Sequence, residues 1–228
     1  MAVPFRYREA VTMHLLVMAK SPVLGRVKTR LCPPCTPHEA AGLAEAALAD
    51  TLEAVTASGA SRVVLALDGP PGPWLPPGFR VFAQCEGGFD RRLAHAWAEA
   101  GGAGVQIGMD TPQVTAADLD HALGALDSAG SALGYANDGG WWAIGLRQPH
   151  PHAFRDLPMS TDRTGLAQHD RLRSLGLDVI LLPTMVDLDT IDDLPAVVTA
   201  GPATRTARLA AHLGLVPVPC AVTLDEVA

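Results

Sequence analysis

The sequence predicts a single-domain α/β protein with a mixed, mostly parallel sheet covered by helices on both faces. Three observations carry this. Strand-like and helix-like segments alternate along all 228 residues. The strand-like runs are nearly continuous aliphatic stretches, as strands buried on both faces require. No repeat or low-complexity linker divides the chain, and its length suits one large α/β domain. The domain is expected over residues 13–214, with an extension at 1–12 and a tail at 215–228.

The first strand is expected at residues 14–19. It ends in a loop that carries Lys20, Arg26, Lys28 and Arg30 together with Pro22 and Gly25. Thr36 and Pro37 then start a helix, through an N-cap hydroxyl and a proline in the first turn. That helix runs to about residue 57 and stops at Ser58-Gly59. A buried strand follows at 62–67. Residues 69–78 contain five prolines and three glycines, which makes them a loop. A short strand is expected at 79–83, a helix at 90–100 and a strand at 105–109, ending at Asp110. Thr115 caps a helix to about 126, with Asp118 in capping-box position. Strands at 131–136 and 141–146 flank Asn137-Asp138-Gly139-Gly140 and can pair antiparallel. A helix at 163–175, a strand at 179–182 and two helices at about 192–200 and 202–213 complete the order.

Composition narrows the function. Hydrophobic residues make up 48% and aromatics only 5%, so the core is aliphatic. Net charge is −7, from 24 acidic against 17 basic side chains, which argues against nucleic-acid binding. No apolar run approaches the roughly 18 residues of a membrane span. Residues 1–12 lack an apolar signal core, and a cytoplasmic protein is expected. Cys32 and Cys35 have redox-motif spacing, but they follow the basic loop instead of opening a helix after a strand, so the pair is expected to be incidental. His150 and His152 are expected in a surface turn.

In an acidic chain, four cations in one loop form a positive island. A strand leading into such a loop is where open α/β sheets bind phosphates, so a nucleotide is the expected ligand. Asp110 stands at the carboxyl end of a buried strand, where such sheets hold ligands. The alternative is a helix cap, a role that Thr115 already fills. Extended alternation puts Asp187 and Asp189 on one side, while Thr190 and Asp193 read as a capping box. Two carboxylates beside phosphates repel unless a divalent cation joins them, which makes Asp189 a candidate metal ligand. Asn137-Asp138-Gly139-Gly140 reads either as a plain hairpin turn or as a substrate site. Strand alternation would send Trp141 and Trp142 to opposite faces, one into the core and one toward a pocket. Gly87-Gly88 before a helix is either room for a ligand or a tight connection.

Taken together, these motifs resemble the bacterial DUF2064 family of glycosyltransferase-like proteins, also called rSAM/selenodomain-associated transferases. The resemblance spans about residues 13–200. It rests on residues 18–22 and 25–31, on Ile107 to Pro112, on residues 137–146, and on residues 187–190 with Asp193-Leu194. It implies the GT-A fold of nucleotide-sugar transferases and nucleotidyltransferases. The Lys28-Thr29-Arg30-Leu31 piece is also similar to 2-phospholactate guanylyltransferases. By resemblance, the first loop cradles phosphates, and Asp110 and Asp189 hold Mg²⁺ (or Mn²⁺). The chain has Gly88-Phe89-Asp90 where members have Asp-Leu-Gly, Trp141-Trp142 where a tyrosine pair is common, and Pro158-Met159-Ser160-Thr161 where members more often have Trp before Ser. By resemblance, these departures cluster where an acceptor should bind.

Two reactions fit. In nucleotidylyl transfer, an acceptor phosphate or phosphonate attacks the α-phosphorus of an NTP, and the first-loop cations neutralise the phosphates. In glycosyl transfer, an NDP-sugar donates to a hydroxyl or thiol, and Asp138 serves as base. A nucleotide-binding protein without catalysis is a third class. Expected catalytic residues are Lys28, Asp110 and Asp138. Expected nucleotide contacts are Ala19, Lys20, Gly25, Arg26, Lys28, Arg30 and Gly87. Expected substrate contacts are Asp138, Gly139, Gly140 and Trp141. Partners are then a nucleotide and a small-molecule acceptor, with no nucleic acid and no membrane; a homodimer stays open.

Overall fold

The first apolar run forms β1 (His14–Lys20), whose side chains alternate between two cores. Leu15, Val17 and Ala19 enter one cluster, and Leu16 and Met18 enter the other. Burial on both faces explains why the run is aliphatic without polar alternation. The computed structural model describes residues 12–217. Most of the expected extension and tail, with Cys220, lies outside the described residues.

The other strands are β2 (Arg62–Asp68), β3 (Arg80–Ala83), β4 (Gly104–Ile107), β5 (Ser131–Ala136), β6 (Trp141–Leu146) and β7 (Val179–Met185). One sheet holds all seven in the order β3-β2-β1-β4-β6-β5-β7. Every pairing is parallel except the two made by β6, which runs against β4 and β5. The short 137–140 turn between β5 and β6 forces that reversal, because neighbouring strands joined by a tight turn must be antiparallel.

The helices are α1 (Pro37–Ala57), α2 (Phe89–Ala100), α3 (Ala116–Ser128), α4 (Thr164–Ser174), α5 (Leu194–Ala200) and α6 (Arg205–His212). On one face, α1 and α3 cover the core of Leu15, Val17 and Leu65. On the other, α2 and α4 cover that of Leu16, Val64 and Ile144. A third cluster joins α5 and α6 to the outer side of α1. The result is the expected three-layer arrangement with a mixed sheet. Among the described residues no helix is long and apolar enough to cross a membrane.

The expected caps form. Thr36 with Glu39, Thr115 with Asp118, and Thr190 with Asp193 each make a capping box. Several boundaries differ. The first loop does not lead straight into a helix; a 3-10 turn (Thr29–Leu31) intervenes before α1. β4 stops at Ile107, so Asp110 stands on a bend beyond the strand and not at its last residue. β7 runs three residues past the expected end. The last two helices start later than expected, at Leu194 after a 3-10 turn and at Arg205. For α6 the late start has a clear cause. The Asp50 carboxylate on α1 accepts the backbone N–H groups of Arg205 and Thr206, and Thr204 caps Ala207.

His14 opens β1 and is fully buried, edge-on to Trp97 at 5.3 Å between ring centroids. Burial first, and the Arg62 guanidinium second, push its imidazole down from the usual value to about 4. The unfolded chain therefore binds this proton more tightly than the native one. Stability is full above pH 6.5 and falls as pH drops through the window from 6.5 to about 4. The loss attributable to His14 is about 3 kcal/mol. Urea unfolding at pH 7 and pH 4.5 should show this loss in the wild type and a much smaller one in His14→Leu. Equal losses in both would place the acid sensitivity elsewhere.

Candidate active site

The carboxyl ends of β1, β2, β4, β5 and β7 lie at one edge of the sheet, with the start of antiparallel β6 among them. A cavity of about 760 Å³ opens there. It draws Ala19, Lys20, Arg26, Lys28 and Arg30 from the end of β1 and the first loop. Asp110, Asp187 and Asp189 line it as well, together with Asp138, Gly140 and Trp141. Gly25, Gly87 and Gly139, also expected as contacts, do not line it. All three have positive φ (71°, 118° and 88°), which glycine adopts without strain.

Lys28 is the hub. Its backbone is left-handed at φ 48°, a conformation that costs a non-glycine residue roughly 1–2 kcal/mol. Its side chain is only 7% exposed. The ammonium sits 2.5 Å from Asp110 Oδ1 and 3.4 Å from Asp189 Oδ1, and it donates to the Leu188 carbonyl. Burial opposes the charged form, but Asp110 and then Asp189 outweigh it and hold the Lys28 pKa above the usual lysine value. Arg30 stays largely exposed, 3.7 Å from Asp189 Oδ2.

Backbone bonds bring distant carboxylates together. Leu188 N–H donates to the Asp110 carbonyl at 2.7 Å, and Gln113 Nε2 donates to the Val186 carbonyl at 2.6 Å. These clamp the segment after β7 onto the bend after β4, so Asp187 and Asp189 arrive beside Asp110. Asp187 carries the clearest sign of crowding. Burial first, then Asp110, Asp138 and Asp189, push its carboxyl up to about 8, although Lys28 pulls the other way.

The Asp138 turn is more than a hairpin. Gly140 N–H donates to Asp138 Oδ1 at 2.7 Å, and Gly165 N–H at the start of α4 donates to the Gly139 carbonyl at 2.8 Å. A Cβ on Gly139 would lie 2.1 Å from the Asp162 carbonyl oxygen, and one on Gly165 would lie 2.5 Å from that of Gly140. Both glycines are therefore required by close approach of two backbones. The two tryptophans go to opposite faces of the sheet as expected. Trp142 is buried in one core with its Nε1 donating to the Pro183 carbonyl, Trp141 packs against the other core, and both line the cavity.

Sequence reasoning left several lining residues out: Gln84, Arg92, Thr111, Asp187 as a site residue, Asp162 and Thr164. Gln84 holds the end of β1 by donating to the Ala19 and Ala66 carbonyls and accepts from Arg92. A cation in the segment after Gly87-Gly88 was the available signal for Arg92. No local signal marks Gln84, Asp162 or Thr164, since only the tertiary fold brings them to the edge, whereas Met159, Ser160 and Thr161 belong to a stretch expected near the acceptor and do line the cavity. Cys32 and Cys35 lie outside the cavity lining with free thiols.

The donor set fits a divalent cation. Four carboxylates (Asp110, Asp138, Asp187 and Asp189) act on one another here, and Lys28 is the cation closest among them. Among the described residues no three His, Cys, Asp or Glu side chains form a ready-made cage. Mg²⁺ rarely needs one: it takes one or two carboxylates and completes its octahedron with phosphate oxygens and water.

Fold and cavity together define the class: an α/β protein with the fold of nucleotidyltransferases and nucleotide-sugar transferases. A structure from Desulfovibrio desulfuricans G20, named as a candidate nucleotide-diphospho-sugar transferase, aligns at 24% identity with TM-score 0.82, over 90% of this chain and 97% of that one. A cytidylyltransferase from Leptospira borgpetersenii serovar Hardjo-bovis aligns at 14% identity and TM-score 0.52, over 81% of this chain and 84% of that one. A 4-diphosphocytidyl-2C-methyl-D-erythritol synthase from Anaerococcus prevotii aligns at 8% and 0.51, over 84% and 96%. At these identities the likeness concerns the fold. No curated protein matches the chain. The family described as "Uncharacterized protein conserved in bacteria (DUF2064)" matches residues 41–161, more than half of the sequence, and the chain belongs to it. That match contains Asp110 and Asp138 but neither the first loop nor Asp189.

Proposed function

We propose that the protein is a divalent-metal-dependent transferase with a nucleotide donor, and that it moves a nucleotidylyl group from an NTP. One observation carries this reading: the first-loop cations and the Asp110–Asp189 pair line the same cavity, joined through Lys28. Lys20, Arg26 and Arg30 project toward solvent from its rim, where phosphates enter. The fold relatives, named as transferases of nucleotidyl or sugar groups, agree with it.

Lys20, Arg26 and Arg30 bind the phosphate chain and offset charge as it develops on the leaving pyrophosphate. Lys28 holds Asp110 and Asp189 in register. A bound Mg²⁺ or Mn²⁺ on Asp110 and Asp189 supplies Lewis-acid stabilisation of phosphoryl oxygens. Asp138 sits where the acceptor must approach and takes the proton of a hydroxyl nucleophile. That placement also favours a second reading, glycosyl transfer from an NDP-sugar, in which the same base serves.

Thermal unfolding with Mg²⁺ and each NTP or NDP-sugar separates the two. A donor at 100 times its Kd should raise Tm by roughly 5–10 °C. Protection by an NTP alone supports nucleotidylyl transfer, and protection by an NDP-sugar alone supports the second reading. Protection by neither removes the nucleotide from the account.

A further inference from the structure

The part of the cavity lining contributed by residues 138–164 bears on the chemistry of the acceptor. We propose that the acceptor is a hydroxyl compound without negative charge, neutral or amine-bearing, gripped by Asp138, Asp162 and Trp141. This rests on the transferase reading above, and it departs from the phosphate or phosphonate acceptor expected from sequence.

The lining is segregated by charge. Every cation in it comes from the end of β1 and the first loop, apart from Arg92 on α2. The wall built by residues 138–164 contributes Asp138 and Asp162 and no Lys, Arg or His. Arg163 adjoins that wall in sequence but does not line the cavity. An anionic acceptor placed there would meet the like charge of Asp138 and Asp162. A hydroxyl or ammonium group meets acceptors for its protons.

Two unpartnered donors stand on or beside the same wall. Among the described residues Trp141 Nε1 is buried without a hydrogen-bond partner, whereas Trp97 Nε1 and Trp142 Nε1 each have one. Thr111 is 1% exposed, lines the cavity, and its hydroxyl also lacks a partner. β4 and β6 are neighbours with Ile107 opposite Ala143, so the chain leaving β4 through Thr111 passes the Trp141 end of β6. Buried donors of this kind have an explanation when a ligand oxygen completes them. The indole ring adds a flat apolar surface that suits a sugar face or an ammonium group.

The wall is also fixed in place. The Gly139–Asp162 and Gly140–Gly165 contacts lock the Asp138 turn to the start of α4. Asp138 uses Oδ1 on Gly140 N–H, and Oδ2 has no such bond. In the transfer step the acceptor oxygen bonds to the electrophilic centre of the donor. The bond from that centre to pyrophosphate, or to nucleoside diphosphate in the second reading, breaks. The hydroxyl proton passes to the Asp138 carboxylate. An acceptor phosphate already ionised would need no such base.

The test uses the full chain saturated with Mg²⁺ and whichever nucleotide protects it in thermal unfolding, so that the first-loop cations are occupied. Tryptophan fluorescence then follows titration with three probes: glucosamine, glucose and glucosamine 6-phosphate. Glucosamine and glucose should each bind at least roughly tenfold more tightly than the phosphorylated probe. Trp141→Phe should lose most of the signal change, and Asp162→Asn should narrow the gap between glucosamine and its phosphate. Equal or tighter binding of glucosamine 6-phosphate overturns the proposal, as does absence of any response at millimolar concentration. Either result leaves nucleotide protection standing as a separate measurement, so the donor and acceptor readings fail independently.

Discussion

Asp110→Asn is expected to reduce metal-dependent turnover on the order of 10³-fold and to leave the fold intact. The two halves of this expectation come from different atoms of one residue. The side chain faces the cavity, is 39% exposed, and pairs with Lys28. The backbone carbonyl does the structural work by accepting from Leu188 N–H, and asparagine keeps it. Lys28 retains Asp189 and the Leu188 carbonyl as partners, so its charge is not stranded. Stability in urea should therefore change little, while Mn²⁺ binding in the presence of nucleotide weakens sharply. Turnover within a few-fold of wild type, with nucleotide-dependent Mn²⁺ binding unchanged, would remove Asp110 from the metal site.

Much of the candidate site was legible because its parts sit at strand ends, where apolar runs stop at a chemically distinct residue. β1 stops at a cluster of cations and β5 at Asn-Asp-Gly-Gly, and both signals are local. Caps were legible for the same reason: a Thr and a carboxylate three residues on form a complete local device at Thr36, Thr115 and Thr190. The division of Trp141 and Trp142 followed from the two-residue period of a strand.

What was not legible depends on contacts across the sheet. The sequence suggests that Asp187 and Asp189 share a side, but only the Leu188 bond to Asp110 makes the three carboxylates neighbours. Asp110 itself was expected at a strand end and lies on a bend, because β4 follows β1 and β6 only as far as Ile107. The glycines mislead in an instructive way. Gly139 looks like a ligand contact or a turn residue, yet the atom that excludes a side chain there is the carbonyl of Asp162, 23 positions away. Likewise, the cations of the first loop are not equivalent. Three remain exposed, while Lys28 turns inward, and nothing in their spacing marks which one does.

That inward turn makes Lys28 the most informative position for a second variant. Lys28→Met keeps the length and the apolar stem but deletes the ammonium shared by Asp110 and Asp189. Breaking a buried ion pair costs 3–5 kcal/mol, but here both carboxylates are more than a third exposed, and solvent screening cuts the expected loss to about 2 kcal/mol. The variant should therefore unfold at lower urea when no divalent cation is present. Added Mn²⁺ should then stabilise it more than it stabilises the wild type, because the cation meets carboxylates that no ammonium neutralises. Turnover should fall as well, since the same lysine sets the register of the two carboxylates before substrate arrives. The pairing of a metal-reversible stability loss with a persistent activity loss is specific to a lysine that organises a metal site. A stability loss that Mn²⁺ fails to reverse would mean that Lys28 serves only to hold the Leu188 carbonyl and its strained loop. Stability unchanged without metal would mean that the two carboxylates do not depend on it.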